Sequence, residues 1–221
     1  MPVRRICLSA ALAPVLFAQI QQLKTLTVEK SDGGPVTVAF EPMTVNQHSK
    51  LRRTWYAVND AACPVQVAGP GVRIEPSPGG TYLRFETQVA SLLTNRPVVA
   101  FELRFVLFDI FGGHMGTIRE LHVLDVPTAG GFVLKPDRIA APPLPKPRKD
   151  QPVVEERPLG VLEASVADAQ KLLHVATFVA LVKSQDGEVW SADLKSVSAE
   201  LARVLRAGVT EQTLQPTRER K

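Results

Sequence analysis

The sequence has few of the residues that form disulfides, metal sites and catalytic centres. It contains two cysteines and four histidines in 221 residues. Cys7 lies in an N-terminal apolar segment that resembles an export signal, so a chain that lost this segment would keep only Cys63 and could form no intrachain disulfide. We therefore expect the fold to depend on apolar packing, and Cys63 to be a small buried residue rather than a reactive thiol.

Local motifs for metal, nucleotide or nucleophilic chemistry are also missing. No histidine has a second histidine or a cysteine at metal-ligand spacing; the four are His48, His114, His122 and His174. No serine stands in a Gly-x-Ser-x-Gly motif, and the short glycine clusters do not match a phosphate-binding loop. The sequence therefore predicts no metal, no cofactor and no catalytic residue.

Charge of one sign is scarce as well. The chain has 26 lysines and arginines against 22 acidic residues, a net charge of +4. Two of these arginines, Arg4 and Arg5, belong to the N-terminal segment, and the rest of the chain is nearly balanced. A nucleic-acid partner would need a stronger basic excess, so we expect none.

Residues 1–18 are typical of a secretory signal. Two arginines precede an apolar run from Ile6 to Ala18 that is too short to span a bilayer comfortably. We therefore predict export to the periplasm or the extracellular space, with no stable membrane span after signal removal. Leu16 fits poorly where a small residue usually precedes the cleavage site, so an uncleaved anchor remains an alternative.

Most of the remaining chain shows the period-two alternation of β-strands, separated by Gly, Pro, Asn and Asp turns. Residues 24–30 and 35–41 are predicted to pair as a hairpin. The strongest strand is Val98–Asp109, which has one wholly apolar face and one face that is apolar only at its end. We predict that this strand is central and that another element covers the apolar end of its second face.

The C-terminal part has a different character. Residues 135–158 contain seven of the 18 prolines and are predicted to form an exposed loop. A hairpin is predicted over residues 173–192, because Asp186-Gly187 suits a type I′ turn. Asp193 can cap a helix with a single apolar stripe that ends near Ala207, with Gly208 as its C-cap.

We predict one β-sandwich domain over residues 19–208, followed by a flexible tail at 209–221. Residues 159–208 contain too few elements to be stable alone, and residues 23–134 would leave an open sheet edge. The C-terminal hairpin would extend the earlier sheet, and the helix would cover it.

Phe105-Val106-Leu107-Phe108-Asp109 resembles the signature of bacterial FxLYD-type domains, with Phe108 in place of the family tyrosine. Asn95-Arg96-Pro97-Val98 and Gly112 resemble the flanking positions, and the similarity covers about residues 81–134. The resemblance implies an all-β, immunoglobulin-like antiparallel β-sandwich in an exported protein. It carries over no catalytic or cofactor-binding residue, and the Pro-rich segment and the terminal helix depart from the family pattern.

Four residues are candidates for interaction. Trp190 is either an exposed binding anchor or a core residue, and His114 lies in a glycine-rich turn. Arg52 and Tyr56 flank Trp55, a mixture that either binds single-stranded nucleic acid or forms an amphipathic strand, and we favour the strand.

The function predicted from these features is non-catalytic protein-protein contact by an exported β-sandwich, in a structural, assembly or scaffold role. The protein partner is unknown. The alternatives are an envelope hydrolase whose site is assembled from distant strands, and a module that binds a small ligand or a glycan. A cleft that joins His114 to a carboxylate would favour the enzyme, whereas an exposed apolar patch or an open strand edge would favour the contact module.

Overall fold

The computed structural model describes residues 27–29, 35–43, 51–69, 72–77, 80–85, 88–91, 96–128, 133–136, 156–159, 162–165 and 171–217. The predicted signal at 1–18 lies outside these residues. The strands are, in chain order, β1 (Thr27–Glu29), β2 (Val36–Met43), β3 (Arg53–Asp60), β4 (Val65–Gly69), β5 (Val72–Ser77), β6 (Gly80–Phe85), β7 (Gln88–Ser91), β8 (Val98–Asp109), β9 (His114–Thr128), β10 (Val133–Pro136), β11 (Glu156–Leu159), β12 (Leu162–Ser165), β13 (Leu172–Ser184) and β14 (Val189–Ser191). The helix α1 spans Leu194–Leu205.

The strands form three sheets. The largest has the order β1-β2-β3-β13-β8-β9, and β14 pairs with β13. A second sheet has the order β11-β10-β7-β4, and a third has the order β12-β6-β5. The described chain is thus dominated by strands, as the sequence predicts.

The prediction of a wholly antiparallel arrangement is wrong. β13 runs parallel to β3, with Val175 opposite Trp55, and β10 runs parallel to β11. Parallel neighbours need a long crossover connection, and more than a hundred residues separate β3 from β13. Sequence alternation reports the faces of a strand but not the direction of its neighbour, so this feature was not visible locally.

Strand β8 has the predicted bounds and lies between β13 and β9. Its wholly apolar face contributes Phe101, Leu103, Phe105 and Leu107 to a first core cluster. The apolar end of its other face contributes Val106 and Phe108 to a second cluster. The predicted cover over the second face is confirmed. β8 is an interior strand with a partner on each side, but it lies next to the edge strand β9, and β13 is closer to the middle of the sheet.

The largest sheet therefore buries side chains on both faces. On the first face, Val65 and Val67 of β4 join the cluster that contains Trp55 and Phe105. On the second face, Val197 and Leu201 of α1 join the cluster, together with residues that follow the helix. Burial on both faces explains why β13 is almost continuously apolar, since a strand with one wet face would alternate.

Polar groups inside the first core connect β3 to β13. The indole Nε1–H of Trp55 donates a hydrogen bond to Thr177 Oγ1 over 2.8 Å, and Arg53 Nε donates to the Leu172 carbonyl over 2.7 Å. Each of these polar groups is buried, so losing its partner would cost the full desolvation penalty. The two hydrogen bonds thus favour the parallel pairing over a shifted alternative.

Helix α1 begins as predicted. The carboxylate of Asp193 accepts hydrogen bonds from the Lys195 N–H over 3.1 Å and from the Ser196 hydroxyl over 2.6 Å. The C-cap prediction is wrong, because Arg206, and not Gly208, adopts the left-handed conformation, with φ of 51°. Among the described residues no helix has both the length and the apolar character of a membrane span.

Residues 209–217, expected to belong to a flexible tail, pack against the sheet instead. Leu214 is fully buried. The hydroxyl of Thr117 donates to the Thr213 carbonyl over 2.6 Å, and the Thr217 N–H donates to the Thr117 carbonyl over 2.8 Å. Isolated apolar residues in a polar segment have no periodicity, so the sequence pattern did not reveal this contact.

Two smaller differences from the local sequence pattern remain. The alternation of residues 82–90 predicts one continuous strand, but these residues are divided between β6 and β7, which belong to different sheets. The predicted Pro-rich loop at 135–158 has strand at both ends, because residues 135 and 136 lie in β10 and residues 156–158 lie in β11. The interior of that loop lies outside the described residues.

Candidate functional site

Large apolar side chains are exposed in two places in the part of the chain that the structure describes. The first set lies at the end of the sheet where β3 begins and β8 ends, and we call it the tip surface; it consists of Leu51, Ile110 and Phe111. The second set lies on β9, β13 and β14, and we call it the face surface; it consists of Leu121, Val123, Leu181 and Val189. Exposed apolar clusters of this kind mark contact sites more often than single exposed residues do.

The tip surface stands on a rigid turn between β8 and β9. The Asp109 carboxylate accepts hydrogen bonds from the N–H groups of Phe111 and Gly113, each over 2.8 Å. The Asp109 N–H donates to the Gly113 carbonyl over 2.9 Å, and the Gly112 N–H donates to the Asp109 carbonyl over 3.0 Å. Gly112 has φ of 79°, which a residue with a Cβ adopts only with strain.

This turn presents an aromatic ring to solvent. Phe111 is 91% exposed, the most exposed large apolar side chain in the described residues. Because four hydrogen bonds already fix the backbone, a partner that covered the ring would pay little entropy to order the loop. The geometry therefore suits an anchor residue at a protein interface.

His114, a candidate from the sequence, follows this turn at the start of β9. Its Nε2 lies 3.0 Å from Thr117 Oγ1. Since the Thr117 hydroxyl already donates to the Thr213 carbonyl, His114 Nε2 acts as the donor in this pair. Burial lowers the pKa of His114, and a hydrogen bond to the Gly116 backbone partly opposes that shift.

Among the described residues, the contacts of His114 are with Thr117, the Gly116 backbone and Phe108. The nearest carboxylate along the chain, Asp109, uses Oδ1 to hold the turn. Thr117 is fully buried, so its hydroxyl is not open to attack a substrate. The described residues also contain no group of three or more metal-ligating side chains.

The sequence gives no signal that singles out His174, but the sheet places it in one cross-strand row with His114. His174 pairs with Phe108, and Phe108 pairs with His114, so the three lie in one row across β13, β8 and β9. Burial lowers the pKa of His174, and its Nδ1 is buried without a hydrogen-bond partner in the described part of the chain. Phe108 lies between the two histidines in this row, so His174 and His114 are on strands that are not neighbours in the sheet.

The other sequence candidates do not join His114 in one site. Tyr56 is buried, with its ring 6.2 Å from Phe40 and 5.5 Å from His174. Trp190 is partly buried against the first core at the opposite end of β13. Arg52 is exposed and lies next to Leu51 at the tip end. Of the four candidates, only Arg52 and His114 lie near the tip surface.

Cys63 has the properties of a packing residue. It is buried, and its thiol donates a hydrogen bond to the Val65 carbonyl over 2.7 Å. Burial raises the pKa of the Cys63 thiol to about 12. The thiol is therefore protonated at neutral pH, whereas a nucleophilic cysteine needs the thiolate.

The face surface surrounds a buried charged group. Glu102 lies opposite both Leu121 of β9 and Leu181 of β13, and it is 4% exposed. Its carboxylate accepts a hydrogen bond from Arg104 Nε over 2.8 Å. Arg104 also donates to the Leu214 carbonyl over 3.1 Å. The C-terminal segment, through Leu214, therefore reaches Arg104 on this face of the sheet. The exposed residues of the face surface lie beyond that contact.

Comparison of the chain with protein-family models, with curated proteins and with solved structures found no match.

Proposed function

We propose that the protein acts without catalysis, by contact with another protein through the tip surface formed by Leu51, Ile110 and Phe111. The observation that carries the proposal is the 91% exposure of Phe111 on a turn that Asp109 holds by hydrogen bonds. Burying one such ring in an interface contributes on the order of 1.5–3 kcal/mol. Aromatic anchors of this kind often supply much of the energy of an interface.

Other exposed apolar residues at the same end of the sheet support the same function. Ile110, next to Phe111 in the turn, is 43% exposed, and Leu51, which precedes β3, is 42% exposed. Arg52 is exposed beside Leu51 and can form part of a polar rim, and arginine is enriched at protein interfaces. An apolar centre with a charged border is the arrangement expected of a protein-protein contact.

The test is site-specific photo-cross-linking in the native cells. A photoreactive residue at position 111 should give a discrete cross-linked product. The same residue at position 186, in the exposed turn between β13 and β14, is the matched control and should not give that product. Phe111→Ser should weaken recovery of the partner while the unfolding midpoint stays unchanged. Equal products at both positions, or none at position 111, would contradict the proposal.

We also propose that the protein is exported through residues 1–18, on the basis of the two arginines and the apolar run of the sequence. Replacing Arg4 and Arg5 by Glu should then retain the protein in the cytoplasm, because the positive n-region orients the signal. Cell fractionation checks this result. A wild-type protein found wholly in the cytoplasm would refute export.

The fold type that we propose is an immunoglobulin-like β-sandwich related to the FxLYD-type domains. Its support is that each motif residue has a structural role: Phe105 and Leu107 enter one core, Val106 and Phe108 enter the other, and Asp109 closes the turn. An experimental structure tests the proposal. Sheets that do not stack face to face would contradict it.

A further inference from the structure

Strand β9 is the last strand of the largest sheet, so its outer side is an edge. Among the described strands only β8 pairs with β9. Part of the edge is covered by the chain itself, at Thr117. The Thr117 N–H donates to Thr217 Oγ1 over 2.7 Å, and the Thr117 carbonyl accepts from the Thr217 N–H over 2.8 Å. The backbone polar groups of Thr117 therefore point away from β8.

This orientation identifies the groups that point outward farther along the edge. The pairing of β8 with β9 has no register shift between Thr117 and Val123. In an antiparallel pair every second residue directs both its N–H and its carbonyl away from the partner strand. Leu121 and Val123 are four and six residues beyond Thr117, so their backbone groups also point outward. Their side chains are 63% and 68% exposed.

We propose that two copies of the chain pair antiparallel through β9, about a twofold axis at Leu121. Hydrogen bonds between the two copies can form only between backbone groups that point away from β8 in each copy. In this stretch, that condition allows a twofold axis at Glu120, at Leu121 or at His122. The centre at Leu121 places the two Leu121 residues opposite each other. It also places Arg119 opposite Val123 of the second copy.

Charge complementarity selects this centre from the three. With the axis at Leu121, Glu120 lies opposite His122 of the second copy, and the same pair occurs twice by symmetry. With the axis at Glu120 two carboxylates face each other, and with the axis at His122 two imidazoles do. Facing carboxylates repel each other, whereas the axis at Leu121 gives each Glu120 carboxylate an imidazole N–H as a possible hydrogen-bond donor.

The environment of His122 agrees with this choice. Its Nε2 lies 3.3 Å from Glu120 Oε2 of the same chain, but it is buried without a hydrogen-bond partner in the described part of the protein. A second carboxylate across the axis would offer an acceptor to that nitrogen. Because Thr217 occupies the edge at Thr117, the pairing is short, which suits a dimer that depends on concentration.

This proposal does not depend on the tip surface, which lies at the other end of β8. Analytical ultracentrifugation of the full chain over a concentration series is the test. The wild type should show a monomer-dimer equilibrium. Leu121→Arg should weaken the dimer at least about tenfold, because it places two arginines on the axis. The unfolding midpoint should not change, because the side chain is exposed in the monomer.

Val189→Arg is the matched control, since Val189 is 59% exposed on the same surface but lies on β14. It should leave the dimer intact. His122→Glu should weaken the dimer by placing carboxylates opposite each other, and adding Glu120→His should restore it. A wild type that is monomeric at every concentration would overturn the proposal. So would equal effects of the two arginine variants, or an exchanged pair that fails to restore the dimer.

Discussion

Phe105 and Phe111 are six residues apart in one hairpin, yet they are 1% and 91% exposed. The alternation of β8 directs Phe105 into the first core, where it packs among the residues of β3, β9 and β13. Phe111 follows the end of the strand, where Asp109 turns the chain. The same side chain therefore stabilises the fold at one position and is available for contact at the other.

Phe105→Ala should lower the free energy of unfolding by about 3–5 kcal/mol, because it leaves a cavity in a closed core. Phe111→Ala should change it by less than about 0.5 kcal/mol, because the ring contacts mainly water. Urea denaturation of both variants checks the pair. Equal midpoints for the two variants would show that Phe105 is not part of the core.

Cys63 should react slowly with thiol reagents in the folded protein. At pH 8 its thiol is protonated and buried, so labelling in a Cys7→Ser chain should be much slower under native conditions than in denaturant. The raised pKa of Cys63 also predicts how the stability of the fold changes with pH. Above the ordinary thiol pKa and up to about 12, only the unfolded chain loses this proton, so stability should fall as pH rises. Fast native labelling would contradict the assignment.

At the scale of elements, the two ends of α1 show how local signals differ in strength. Asp193 caps the N-terminus with its own side chain, so the signal and the structure lie in neighbouring residues. At the C-terminus, Arg206 takes the left-handed conformation, although Gly208 is the better residue for it. Ala207, which follows Arg206, packs against the second core.

Arg206→Gly should therefore leave stability unchanged or raise it by up to about 1 kcal/mol, because it relieves the left-handed strain. Gly208→Ala should not destabilise, since Gly208 has no positive φ and no atom near its added Cβ. Thermal unfolding of both variants checks this assignment. If both Gly208→Ala and Arg206→Gly destabilised the protein, Gly208 rather than Arg206 would be the C-cap residue.

At the scale of the whole molecule, the sheet joins distant parts of the chain. β13 comes from the C-terminal part and lies between β3 and β8, so it occupies the middle of the sheet rather than extending an edge. Residues 209–214 then cover the second face. Chain segments that precede and follow the Pro-rich stretch are therefore needed together for both cores.

Leu214→Ala should cost about 2–5 kcal/mol of stability, because this fully buried side chain fills the second core. Gln212→Ala, at an exposed position two residues earlier, is the control and should have little effect. Chemical denaturation measures both. A Leu214 variant as stable as the control would mean that residues 209–217 form a tail after all.

Cleavage within residues 141–152 should not separate the two parts of the chain. Strand β13 pairs with β3 on one side and with β8 on the other, so the fragments share one sheet. Limited proteolysis followed by gel filtration should give both fragments in one peak. Two folded fragments that elute separately would establish two domains in place of the single domain that we propose.

Features that depend on a few neighbouring residues could be predicted from the sequence. These include the bounds and faces of β8, the pairing of β13 with β14 as a hairpin and the Asp193 cap, all of which the structure contains. The turn of that hairpin is not the predicted type I′, because Gly187 has a positive φ of 90° and Asp186 does not. Their signals are short-range, because side-chain alternation, turn conformation and capping each involve a few consecutive residues.

The meeting of distant segments is visible only in the folded chain. The parallel pairing of β3 with β13, the row of His174, Phe108 and His114, and the burial of Leu214 all join residues far apart in the chain. The edge at Leu121, which no described strand covers, and the exposure of the Phe111 ring likewise depend on the packing of distant segments. Strand pairing and burial are properties of the whole packed chain, so no local pattern could specify them.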